Sequence, residues 1–97
     1  MITHVVLFRW KPDTTPIQVD RIREALATLP GILPVIKTYR FGSDLGVSAA
    51  TNMDFAVVAT FDSIEDWKTY DTDADHESVR DVIRPAVLDR AAVQFES

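Results

Sequence analysis

Cysteine is absent from this sequence, which removes disulfides, thiol nucleophiles, iron–sulfur clusters and zinc fingers together. Histidine is nearly as scarce. His4 and His76 are the only two, so an all-histidine metal site within one chain is excluded, and no metal and no cofactor is expected. Long apolar runs are missing too: Val5–Phe8 spans 4 residues and Phe55–Ala59 only 5, against the roughly 20 a membrane helix needs. Met1 leads straight into strand-forming residues, without the basic stretch and apolar segment of a secretory signal. The expected address is therefore cytoplasmic, with no membrane partner. Glycines are few and scattered, and no glycine-rich phosphate loop, Ser–His–Asp spacing or metal signature can be found.

Positive charge is the remaining deficit. The net charge is −5, and residues 62–81 carry eight acids against Lys68 and Arg80. Without a basic stripe the chain lacks the electrostatic footprint of a nucleic-acid binder, and no nucleic-acid partner is expected. The acidic block reads as a solvated helix surface. What is present is ordinary globular material: 97 residues, 46% hydrophobic and 26% charged. That is one domain over residues 1–97, large enough for a two-layer core.

The first ten residues are rich in β-branched and aromatic types and read as a strand. Alternation places Ile2, His4, Val6, Phe8 and Trp10 on one face, and Thr3, Val5, Leu7 and Arg9 on the other. Thr15-Pro16-Ile17-Gln18 is a helix start, with Thr15 as cap, Pro16 at the first helical position and Gln18 completing a capping box. Val19, Ile22, Leu26 and Leu29 follow at helical spacing, and Pro30-Gly31 is expected to stop the helix. Val35–Phe41 reads as the second strand, closed by Gly42. Residues 43–53 form a connection longer than a hairpin requires. Asp54–Asp62 alternates as a third strand, with Phe55, Val57, Ala59 and Phe61 on one face.

Ser63-Ile64-Glu65-Asp66 opens a second helical region, whose Ile64, Trp67 and Tyr70 form an inward stripe. Asp71–Asp75 is expected to interrupt it. A further helix follows with Val79, Val82 and Ile83 on one side, then a short strand over Ala91–Phe95. The order β-α-β-β-α-β predicts an α+β, ferredoxin-like fold, a four-stranded antiparallel sheet with helices on one face. The other face would still expose Val5, Leu7 and Val58. An apolar patch of that kind marks an interface, and a two-fold homodimer closing two sheets into a common barrel is the simplest cover.

Three groups have acid–base capacity. His4 sits mid-strand between Ile2 and Val6 on its face, as either a core histidine or a pocket group. His76 lies at a helix start, where the dipole favours neutral imidazole while Asp71, Asp73, Asp75 and Glu77 favour imidazolium. Tyr70 precedes His76 by six residues, about 120° around an unbroken helix. A helix break frees both to converge on one cavity, with His4 on its floor and Phe8, Trp67 and Val6 among its walls.

Several short motifs, in order and in a chain of this length, carry a family likeness. They are Thr3-His4-Val5-Val6-Leu7-Phe8, Phe41-Gly42, Asp54-Phe55, Phe61, and Tyr70 with His76. Together they resemble the stress-responsive A/B barrel domain (Dabb) family of dimeric α+β barrels, nearly end to end. The resemblance implies the ferredoxin-like fold and the dimeric barrel. A plant polyketide cyclase of that family, which forms olivetolic acid, is similar at its catalytic positions. By that likeness His76 would be the general base, Tyr70 its partner in polarising a carbonyl, and His4 a hydrogen-bonding pocket group. Family members commonly read His-Pro-x-His at the helix break, whereas this chain has Asp73-Ala74-Asp75-His76, a more acidic setting.

Three readings follow from the sequence. The leading one is a homodimeric domain of this family with a small-molecule pocket in each subunit and no assigned reaction. The second is a cofactor-free polyketide cyclase or lyase acting on a small apolar or aromatic carbonyl compound through His/Tyr acid–base chemistry. The third is a non-catalytic stress or assembly protein. Related barrels include monooxygenases and dehalogenases, so the fold does not choose among them.

Overall fold

The computed structural model describes residues 1–97. In chain order the elements are β1 (Ile2–Trp10), α1 (Pro16–Ile32), β2 (Thr38–Ser43), β3 (Phe55–Phe61), α2 (Ile64–Thr72), α3 (Ala74–Ile83), a 3₁₀ turn (Arg84–Ala86) and β4 (Val87–Glu96). The strands form one antiparallel sheet in the order β2-β3-β1-β4, with the helices over one face, as the ferredoxin-like pattern requires.

The start of α1 follows its sequence signature. The Gln18 amide donates to Thr15 Oγ1 (3.2 Å) and the Thr15 amide donates to Gln18 Oε1 (2.8 Å), a complete capping box. Its end does not. Pro30 and Gly31 lie inside the helix, which runs on to Ile32. What ends it is Pro34, because a residue before proline is driven out of the helical region, and Leu33 is extended at φ −113°, ψ 96°. The segment expected to begin β2 is consequently a turn, with the Ile36 amide donating to the Leu33 carbonyl (3.1 Å), and β2 starts at Thr38. Gly42 pairs with Ala56 within the strand rather than closing it.

Ile22, Leu26 and Leu29 of α1 bury against Phe55, Val57, Ala59 and Phe61 of β3, and this is the centre of the core. Val6 and Phe8 of β1 join them, so the helix-facing side of β1 is the one alternation assigned. Two expected core positions are surface residues: Ile64 and Val82 are exposed, at the outer edges of α2 and α3. The helix break is also sharper than its sequence suggested. Asp73 alone separates α2 from α3, at φ −68°, ψ 140°, as the C-cap of one and the N-cap of the other. Strand β4 is twice the expected core segment; its edge position leaves most of its side chains exposed and blurs the alternation.

The sheet face away from the helices is apolar at its middle. Val5 pairs with Val58 on one side and Val93 on the other, and Leu7 lies between Ala56 and Ala91. Val93 and Phe95 are about half exposed there, at 53% and 48%. No helix of the chain is long and apolar enough to cross a membrane.

Candidate functional site

Strand pleating sends His4, Val6 and Phe8 toward the helices, and Tyr39 rises beside them from β2. The end of α2 and the start of α3 close over this surface and leave a cavity of about 470 Å³. Both histidines and Tyr70 line it, and all three are buried. The three groups singled out in the sequence therefore meet at one place.

Asp73 makes that meeting possible. Its Oδ2 accepts from the amides of Asp75 (2.8 Å) and His76 (3.1 Å), capping α3 and pinning the backbone of His76. The His76 ring then stacks on the Tyr70 ring, with centroids 3.9 Å apart. His76 Nδ1 lies 2.8 Å from the Tyr70 carbonyl oxygen. A carbonyl only accepts, so Nδ1 carries the proton and Nε2 keeps its lone pair. Burial, followed by the positive charge of Arg80, holds the His76 pKa below the usual histidine value.

His4 is held in the opposite tautomer. The indole Nε1–H of Trp67 donates to His4 Nδ1 (3.3 Å), and the Gln94 amide nitrogen lies 2.8 Å from the same atom. Indole nitrogen has no acceptor capacity, so Nδ1 must accept and the ring proton resides on Nε2. Burial, then the charge of Arg90, lowers the His4 pKa to about 4. Both rings are neutral at pH 7, one with a free acceptor nitrogen and one with a free N–H.

Trp67 is not on the cavity wall, where the sequence placed it. It stands behind His4, tilted against the imidazole with ring centroids 6.0 Å apart, and acts as the donor that sets the tautomer. Phe8 and Val6 do line the cavity.

Sequence reasoning missed three kinds of residue. Tyr39 lines the cavity, its hydroxyl 2.9 Å from that of Tyr70. Burial raises both phenol pKa values, so neither ionises, and the pair uses one proton internally while the other remains free to donate. Alternation with Phe41 was the available signal for Tyr39. Gln94 lies within the expected strand Ala91–Phe95, but its place opposite His4 depends on the β1–β4 register, which no local pattern defines. Arg80, Arg84 and Arg90 bring positive charge to the cavity, although the protein is acidic overall. Arg80 is bound to Asp71 and Glu77, and Arg84 to Glu77 and Asp81. Residues 44–54, the long connection before β3, contribute nothing to the cavity.

Solved structures of the same shape are numerous. A dimeric ferredoxin-like protein of unknown function from Thermobifida fusca is 45% identical, with a TM-score of 0.92 over 99% of this chain and 90% of that one. A dimeric protein of unknown function from Bacteroides fragilis is 24% identical, with a TM-score of 0.87 over 99% of this chain and 95% of its own. Hydroxynitrile lyase from Passiflora edulis superimposes with a TM-score of 0.85 at 24% identity, over 97% of this chain and 90% of its own. At that identity the likeness is one of fold. No curated protein matches the chain. The stress responsive A/B barrel domain (Dabb) matches residues 2–97, nearly the whole chain, and the chain belongs to that family.

Proposed function

We propose that the protein is a homodimer whose subunits each bind a small, largely apolar carbonyl compound and move a proton at the carbon beside the carbonyl. One observation carries this reading: His4 and His76 face a single cavity as opposite neutral tautomers. A base needs a free lone pair at neutral pH, and His76 Nε2 supplies one. An oxygen that gains negative charge needs a donor, and the Nε2–H of His4, with the spare phenolic proton of the Tyr39–Tyr70 pair, supplies that. In the step, His76 Nε2 takes the α-proton, and the C–H electron pair becomes the enolate double bond. The carbonyl π pair moves to oxygen, where the donors stabilise it. Return of the proton to carbon completes an exchange cycle; alternatively the enolate carbon attacks a second carbonyl, as in polyketide cyclisation, the π pair of that carbonyl moves to its oxygen, and this oxygen takes the proton from His76 and restores the base.

Homodimerisation follows from the apolar outer sheet face, whose Val5, Leu7, Val58 and Val93 have no cover within the subunit. It agrees with the dimeric descriptions of the Thermobifida and Bacteroides proteins. The Passiflora neighbour is a hydroxynitrile lyase, and serves only as an instance of an enzyme on this fold.

The test is α-proton exchange. An aromatic ketone such as phenylacetone, incubated with the protein in D₂O, should lose its α-proton NMR signal faster than in buffer. His76→Ala should reduce the enzymatic excess by about 10²- to 10⁴-fold, the usual contribution of a positioned base. Exchange no faster than in buffer, or unaffected by His76→Ala, would overturn proton transfer and leave a binding module.

A further inference from the structure

The cavity of this acidic protein contains no carboxylate. Three of the residues lining it are arginines, and none is Asp or Glu. Two of the three are already neutralised: Arg80 by Asp71 and Glu77, Arg84 by Glu77 and Asp81. Arg90 differs. Its guanidinium makes neither an ion pair nor a hydrogen bond; beyond the β1–β4 ladder, only its backbone amide is engaged, donating to Asp89 Oδ1.

The register fixes where Arg90 stands. It is opposite Phe8 in the β1–β4 ladder, as Ala92 is opposite Val6 and Gln94 opposite His4. All are therefore on the helix-facing side, and Arg90 occupies the cavity rim at the β4 edge. Its charge reaches inward: burial is the main cause of the lowered His4 pKa and the raised Tyr70 pKa, and Arg90 adds to the first and partly offsets the second. An unpaired guanidinium beside an apolar cavity with neutral histidines is an uncompensated electrostatic feature. It favours one kind of ligand over others of equal size and shape.

We infer that the ligand of this cavity carries a carboxylate, which Arg90 receives while the apolar remainder lies against Val6, Phe8 and Leu26. This rests on the reading that the cavity binds a small carbonyl compound, and narrows it to a keto acid or a similar acidic carbonyl compound. A carboxylate matches the planar guanidinium fork in a bidentate pair. It also matches in charge: the rim has one free positive group, enough for a monoanion, whereas a phosphate dianion would find its second charge facing guanidinia already paired. Edge strands also carry charges merely to discourage strand pairing. An arginine with only that role would not tell a carboxylate from its amide.

That distinction is the experiment. The ¹⁵N-labelled full-length chain is titrated at low salt with 3-phenylpropionate, 3-phenylpropionamide and phenyl phosphate, and Kd is read from chemical shifts. The carboxylate should bind about ten- to hundred-fold more tightly than the amide, the usual range for a charge-assisted hydrogen-bonded pair. Arg90→Gln should abolish that ratio by weakening the acid and not the amide. Arg21→Gln, on an exposed part of α1 away from the cavity, should preserve it. Equal binding of acid and amide, or a ratio unchanged in Arg90→Gln, would overturn the carboxylate inference while leaving the pocket reading intact. Tighter binding of phenyl phosphate would also overturn it, in favour of a dianion. Binding of none of the three would overturn both readings.

Discussion

Tyr70 engages His76 at both of its ends. The two rings stack 3.9 Å apart, and the Tyr70 carbonyl receives the His76 Nδ1 proton at 2.8 Å. In a continuous helix that carbonyl would accept from the amide four residues on. Here the break at Asp73 releases it, and it accepts instead from the Asp73 amide (3.3 Å) and the imidazole. The His76 imidazole is oriented by a backbone group that a helix would have consumed.

The break should accordingly be a sensitive position. Asp73→Ala removes the acceptor for two amides at the start of α3, and should cost about 0.5–2 kcal/mol by urea denaturation. Asp73→Asn should recover most of that. Ketone exchange should fall in Asp73→Ala even at temperatures where the protein is fully folded, since the His76 backbone is no longer pinned. An alanine variant as stable and active as the parent would remove Asp73 from the account.

Stability should decline with acid earlier than the carboxylates alone would dictate. His4 and His76 have folded pKa values below the unfolded value of about 6.5, His4 at about 4. The unfolded chain therefore binds more protons between those limits. The stabilisation from keeping the rings neutral is complete above about pH 6.5 and is lost as pH falls toward 4. Urea midpoints at pH 7.5, 6.5 and 5.5 should be level and then drop, with a shallower drop in His4→Gln. A flat profile down to pH 5 would show that neither ring is held neutral.

The two phenols form a coupled pair. Tyr39→Phe and Tyr70→Phe should each cost about 0.5–1.5 kcal/mol, the usual net worth of a partly buried hydrogen bond. The double variant should cost less than the two summed, because the second removal finds no bond left to break. Strict additivity in the cycle would mean that the 2.9 Å contact contributes nothing.

Light scattering should return about twice the 10.9 kDa chain mass. Leu7→Asp or Val58→Asp, on the outer sheet face, should yield folded monomer, because an unpaired carboxylate buried between subunits costs several kcal/mol. Val6→Asp should unfold the subunit instead, its side chain being 5% exposed in the core. A monomeric parent would sink the dimer.

The sequence was most legible where local chemistry decides. Alternation in β1 and β3 assigned both sheet faces, and the Thr15–Gln18 box located the start of α1. It was least legible where a neighbour overrides a local signal. Pro30-Gly31 reads as a stop, yet Pro34 sets the end of the helix through its effect on Leu33. The acid–base groups His4, Tyr70 and His76 were visible as residues, but their tautomers depend on Trp67, Gln94 and a backbone carbonyl brought in by tertiary packing. Arg90 was hidden for a similar reason: its position is meaningful only once β4 is paired to β1.

Strand β4 has successive residues with unrelated duties. Gln94 reaches back to His4 and Arg90 stands at the cavity, while Val93 and Phe95 between and beyond them belong to the bare side of the sheet. An edge strand is secured along one flank only, here by β1, so whatever covers its outer side also steadies its inner side. Where a second subunit covers that outer side, cavity geometry and subunit assembly become two readouts of how firmly one ribbon is held. Dilution that separates subunits would loosen the grip on the His4 tautomer, and a ligand clasped at Arg90 would in turn favour the assembled state.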